Sequence, residues 1–250
     1  MNAIKQQRGV TMISVLIGLL ISMIVVVALM NVFGNVIHVT ANANGNTTND
    51  NQVTSLLMRA STSMLDAGYG ISSPTLGTDF VVIQNATLSS ATNGTLAGTA
   101  VGAGSQGNAV VWDTNLNPTA ATPPPNQCAG LLSYQIPKSV NYTVTYLSPV
   151  PCTSAAQWSS LSWTTTAAVV QPTAKLSPDA LLNASNVAPV NFTATAANPP
   201  CRPYNVTSNS TTVASGGKWQ VTLAAPSSVV QNGAPILLSI TQCLLNIAAP

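Results

Sequence analysis

Few side chains in this chain could do chemistry: four cysteines, five aspartates, one histidine and one glycine-rich run. Cys128, Cys152, Cys201 and Cys243 include no C-x-x-C pair, and His38 is the sole histidine, so a zinc site is not expected. An even number of cysteines, all beyond a long apolar segment, favours two disulfides. Three connectivities are possible; the local one, Cys128–Cys152 with Cys201–Cys243, is favoured, at roughly 3–4 kcal/mol per closed loop. There is no Glu, and Asp50, Asp66, Asp79, Asp113 and Asp179 are scattered, so paired carboxylates for acid–base work are not expected. A Ser–His–Asp arrangement would have to use His38, which sits beside the apolar segment and far from any cleft a folded domain would offer. Gly102-Ala-Gly104-Ser-Gln-Gly107 fits G-x-G-x-x-G. The next residues, Asn108–Trp112, read as a strand rather than a helix, with no acid about 20 residues on, so a flexible loop is expected. The chain is read as having no enzymatic activity, no metal and no cofactor.

The elements that would carry these residues divide sharply. No charge occurs between Arg8 and Asp50, and Met12 to Phe33 is almost wholly apolar. As helix that stretch would span about 33 Å, enough to cross a hydrocarbon core. Lys5 and Arg8 precede it, which fixes the leader side as cytoplasmic and the bulk of the chain as outside. A secretory signal carries its small-residue cleavage site after the apolar core; here the chain runs on through Ile37 and His38 into an Asn-rich stretch. Thr40–Asp50, with its asparagines and Gly45, is a weak stretch for helix. Helical spacing resumes with Val53, Leu56, Leu57, Ala60 and Met64, a stripe suited to lie on a sheet. It should end near Asp66-Ala-Gly68-Tyr-Gly70, where Gly supplies a left-handed cap.

All seventeen prolines lie at Pro74 or later, which marks a change to another kind of structure. Strands are expected at Phe80–Gln84, Ala109–Trp112, Leu131–136, 140–Leu147, Ser162–170, Val190–Thr195, Lys218–Ala224 and Ile236–Thr241. Residues 136–140 read as a hairpin turn, and Ser89–Gln106 and 117–126 as polar surface loops. Trp112, Trp158, Trp163 and Trp219 read as core or strand-face residues. Only 5% of residues are charged, against about 25% in an average globular protein. A net charge of +2 spread this thinly leaves no basic patch, so no nucleic-acid partner is expected. So little charge suits packing beside many copies, or an acidic exterior.

A short basic leader ending in Gly9, then an uncut apolar helix beginning Val10-Thr-Met-Ile-Ser14, resembles a type IV pilin or pseudopilin. The Leu65-Asp-Ala-Gly-Tyr-Gly70 ending is most similar to PilW-type minor pilins. Motif-level likeness covers the first quarter of the chain; beyond that only the layout corresponds. The resemblance implies an α+β fold: a helix over 10–66, its 10–36 part crossing the membrane and later forming a filament core, followed by an antiparallel β-rich head over 67–250. It implies cleavage of residues 1–9 by prepilin peptidase between Gly9 and Val10, then N-methylation of Val10, where the family usually has Phe. It also implies partners: other pilins through the helix, the inner-membrane assembly platform, and the inner membrane itself before assembly.

Ser14 stands where the family normally has Glu. A buried acid in a membrane helix costs about 2.5–3.5 kcal/mol and needs a partner; in pilins that partner is thought to be the amine of the neighbouring subunit one step nearer the tip. A chain with Ser14 cannot neutralise that neighbour, though its own Val10 amine could be neutralised from below, as resembles one class of secretion pseudopilin. The expected function is therefore a minor, tip or priming subunit of a type IV pilus, with some part in adhesion, found first in the inner membrane and then in the extracellular filament. The alternatives are a type II secretion pseudopilin, a major pilin, and an anchored surface-binding protein that never polymerises.

Overall fold

The computed structural model describes residues 12–90, 93–119, 125–135, 141–166, 174–175, 190–201, 217–231 and 234–247. Two compact units are distinguished, Met1–Thr47 and Thr48–Pro250. One helix, α1 (Met12–Ser63, 52 residues), contributes to both. The Asn-rich stretch expected to be weak for helix is helical throughout. No proline interrupts it, and Gly costs only about 1 kcal/mol against Ala in a helix interior. Thr47 and Thr54 each return their hydroxyl to the carbonyl four residues back, at 2.9 Å.

The helix stops at Ser63, slightly before the expected end, and passes through successive turns to Gly70. Ser61, Thr62 and Ser63 donate their hydroxyls to the carbonyls of Met58, Met58 and Ala60, all at 2.8 Å, which satisfies acceptors at the last turn. Gly68 and Gly70 then adopt φ of 73° and 72°, the left-handed conformation that lets the chain reverse.

The rest of the second unit is antiparallel sheet. One sheet runs β2 (Asn93–Gly94), β8 (Trp163–Thr166), β7 (Asn141–Cys152), β6 (Asn126–Gln135), β5 (Ala109–Thr114), β1 (Phe80–Leu88), β3 (Leu96–Val101), with β9 (Ala174–Lys175) also on β7. The other runs β12 (Ala234–Leu244), β11 (Gly217–Gln231), β10 (Asn191–Cys201), β4 (Gln106–Gly107). A strand lies at each of the eight expected places.

The expectation of a loop over Ser89–Gln106 is corrected, since β2, β3 and β4 all lie wholly or partly within it. In β3 only Leu96 is buried and the next four residues are exposed, so no apolar alternation marks it. The glycine-rich run is a turn followed by strand β4, not a flexible loop. Gly104 N–H donates to the Ala194 carbonyl at 2.7 Å, and a side chain at Gly107 would collide with the Ile83 carbonyl. That close approach is what the glycine serves, as the chain crosses from the second sheet into the first. The hairpin turn expected at 136–140 lies outside the described residues, but β6 and β7 pair antiparallel on either side of it, from Gln135↔Tyr142 to Asn126↔Cys152.

Strand periodicity sorts the side chains into two cores. Phe80, Val82, Val110, Trp112, Leu131 and Val144 face the helix stripe and the inner residues of the second sheet, among them Phe192, Val221 and Leu223. Val81, Ile83, Ala109, Val111 and Leu132 face the opposite way, onto Leu96, Trp163 and the 3-10 turn at Ala155–Gln157. The first sheet is thus covered on both faces.

Candidate functional site

The first part of α1 presents an apolar surface with nothing on it. Every residue from Met12 to Phe33 is exposed, and the large apolar side chains between Met12 and Val39 are 47–83% accessible. A window of this helix reaches a mean hydropathy of 3.0, and it is long and apolar enough to cross a membrane. Burying one such Leu, Ile, Val, Met or Phe is worth about 1.5–3 kcal/mol, so twenty left in water would carry a large cost. Ser14 lies on this helix and is exposed; its hydroxyl carries no charge to offer a neighbour. Gly9 and Val10 lie outside the described residues. His38, exposed on the helix, has no acid or nucleophile grouped with it, and no metal-binding cluster occurs among the described residues.

The later part of the same helix is built into the second unit. Val53, Leu56, Leu57, Ala60 and Met64 are each no more than 1% exposed, the stripe expected from helical spacing. Polar ties hold both ends of this segment to the second sheet and its tail. Near its start Ser227 donates its hydroxyl to Asp50 Oδ2 at 2.8 Å; beyond its end Asn246 Nδ2 donates to the Ala67 carbonyl at 3.1 Å. The turn after the helix is tied to strand β5: Gly68 N–H donates to the Asp113 carbonyl at 2.9 Å, and Asn115 N–H to the Tyr69 carbonyl at 2.8 Å. The later part of the helix and the turn after it are thus tied to both sheets.

The disulfides join Cys128 to Cys152 and Cys201 to Cys243, the local pairing. The first staples β6 to β7 beside the Asn126↔Cys152 end of their ladder; the second links β10 to β12, which flank β11 on either side. Trp112, Trp163 and Trp219 are buried, with Trp163 Nε1 donating to the Trp158 carbonyl at 2.9 Å.

Two of the scattered aspartates are neighbours in the fold, a juxtaposition the sequence did not suggest. Asp79 and Asp113 lie opposite one another where β1 and β5 run antiparallel, Asp113 N–H donating to the Asp79 carbonyl at 3.1 Å. Asp113 is fully buried and Asp79 is 8% exposed. Burial first, and the neighbouring Asp79 second, push the Asp113 carboxyl up to about 7. In the sequence the two are far apart; the sign was that each directly adjoins an apolar strand run, Phe80–Ile83 and Val110–Trp112. The Thr75 hydroxyl donates to Asp79 Oδ2 at 3.4 Å. Comparison with family models, with curated proteins and with solved structures finds no match.

Proposed function

We propose that the chain is a minor subunit of a type IV pilus, acting at the filament tip or in priming its assembly. The observation that carries this reading is the position of the Arg8-Gly9/Val10-Thr11 junction. It directly precedes a helix whose first part is apolar and wholly exposed and whose later part belongs to a folded core. An anchor requires only the first part. A strut that must carry a domain out of the membrane without unravelling it requires both.

In this reading prepilin peptidase cleaves between Gly9 and Val10, Val10 is methylated, and the assembly platform moves the subunit from inner membrane to filament. The apolar surface exchanges lipid for the helices of neighbouring subunits. Lipid tails and apolar side chains are equally greasy, so the transfer needs no large hydrophobic gain and depends on close packing. Ser14 fits a subunit with no neighbour above to neutralise, which supports a place at the tip; the same feature favours, as second reading, the tip pseudopilin of a type II secretion system. The disulfide-bonded head would face outward, available for adhesion.

The test is fractionation of cells that carry the assembly machinery. Sheared filaments should contain this chain at trace abundance beside an abundant major subunit. Its confinement to the membrane fraction while filaments form normally would contradict the proposal.

A further inference from the structure

Asp113 is a fully buried carboxyl group whose polar side-chain neighbours are Asp79, which raises its pKa, and Asn126, which lowers it. Strand periodicity places it and Asp79 on the face that also carries Val81, Ile83, Ala109 and Val111, within an apolar core. Two ionised carboxylates directly opposite on adjacent strands repel, and an ionised carboxylate without a counter-charge in an apolar core costs several kcal/mol. The charged and titratable groups around them offer no relief. Just before β1, the one charged residue bearing on Asp113 among the described residues is Asp79 itself; on β6 the neighbours are Asn126 and the oxidised Cys128. The segment after β7, Thr153 to Gln157, holds no ionisable residue, and Asp66 and Tyr69 in the helix-end turn are exposed. Tyr146 lies toward the opposite face, against Trp112. Asp79 is held on one side only, its Oδ2 accepting the Thr75 N–H at 2.7 Å.

We propose that Asp79 and Asp113 share a single proton, forming an acid-set fastener where the helix-end turn, β1 and β5 meet. In acid Asp113 is neutral and can donate its proton to the Asp79 carboxylate. As pH rises the proton leaves to water, two negative charges face each other across the β1–β5 seam, and the contacts tied to it weaken. These include the Gly68-to-Asp113 bond that holds the turn. The proposal does not rest on the filament reading. It gives the sparsely charged second unit a reason to be most stable in acid.

Linkage fixes the sign. The Asp113 carboxyl is raised to about 7, above the ordinary aspartate value near 4, so across that window the folded state holds more protons. Stability is fully present below about 4 and is lost as pH rises toward about 7, the folding constant falling by up to tenfold per pH unit.

The test is denaturant unfolding of the full chain in detergent micelles from pH 4 to 8, followed by tryptophan fluorescence, for wild type, Asp113→Asn and Asp79→Asn. Wild type should lose stability across the window, Asp113→Asn should lose most of that slope, and Asp79→Asn should end it at a lower pH. A full slope retained in Asp113→Asn, or wild-type stability that rises with pH, would overturn the proposal. So would stabilisation by added calcium chloride at pH 8 that Asp113→Asn abolishes, since the pair would then hold a cation. Should Asp113→Asn not fold, Asp79→Asn decides: an unshifted slope refutes the shared proton.

Discussion

Gly70 stands where a side chain cannot. Its φ is 72°, and a Cβ would run into the backbone carbonyl of Asn115, which cannot rotate aside. Gly70→Ala should therefore cost more than the 1–2 kcal/mol of left-handed strain alone, read as a lowered unfolding midpoint. Gly45 is the contrast: an added Cβ there meets open space, and the position is interior to α1. Gly45→Ala should leave the head intact and raise helicity by circular dichroism, worth about 1 kcal/mol. At Ser14 the effect is on assembly rather than folding. If the proposed tip subunit reading holds, Ser14→Glu should raise the chain's share in sheared filaments and its presence along the shaft; unchanged abundance and location would remove the tip proposal.

At the scale of elements, α1 is one helix with two kinds of side-chain environment. Leu56→Ala, at 0% exposure in the core, should cost about 2–5 kcal/mol. Leu20→Ala, at 61% exposure, should shift head stability by no more than about 0.5 kcal/mol. Denaturation of the two variants in the same detergent checks both, and equal losses would contradict the division. The buried stripe was legible because 3.6-residue spacing is a property of sequence alone, and the eight main strands because each is marked by apolar, aromatic or β-branched residues in a run or in alternation. Strands β2, β4 and β9 are two residues long, and β3 on the sheet edge has only small or polar exposed residues between Leu96 and Val101, so little in their residues separates them from loop. The Asp79–Asp113 pair was hidden for another reason: which residues face each other across a seam is set by register, and β1 meets β5 only after β2, β3 and β4 have intervened.

At the scale of the whole molecule, the head relies on covalent staples where charge is scarce. The two disulfides span sequence separations of 24 and 42. Each should contribute roughly 3–4 kcal/mol by restricting the unfolded chain. Cys201→Ser with Cys243→Ser should thus lower the unfolding midpoint substantially, and a midpoint unchanged from wild type would show the staple to be redundant. The larger claim concerns the apolar rod, which is proposed to be a membrane span first and a filament strut later. Intact-mass and N-terminal mass spectrometry of the chain, purified from cells that assemble filaments, tests this most directly. The account predicts loss of residues 1–9 and a mature chain beginning with N-methylated Val10; a chain that still carries its first nine residues in those filaments would contradict it.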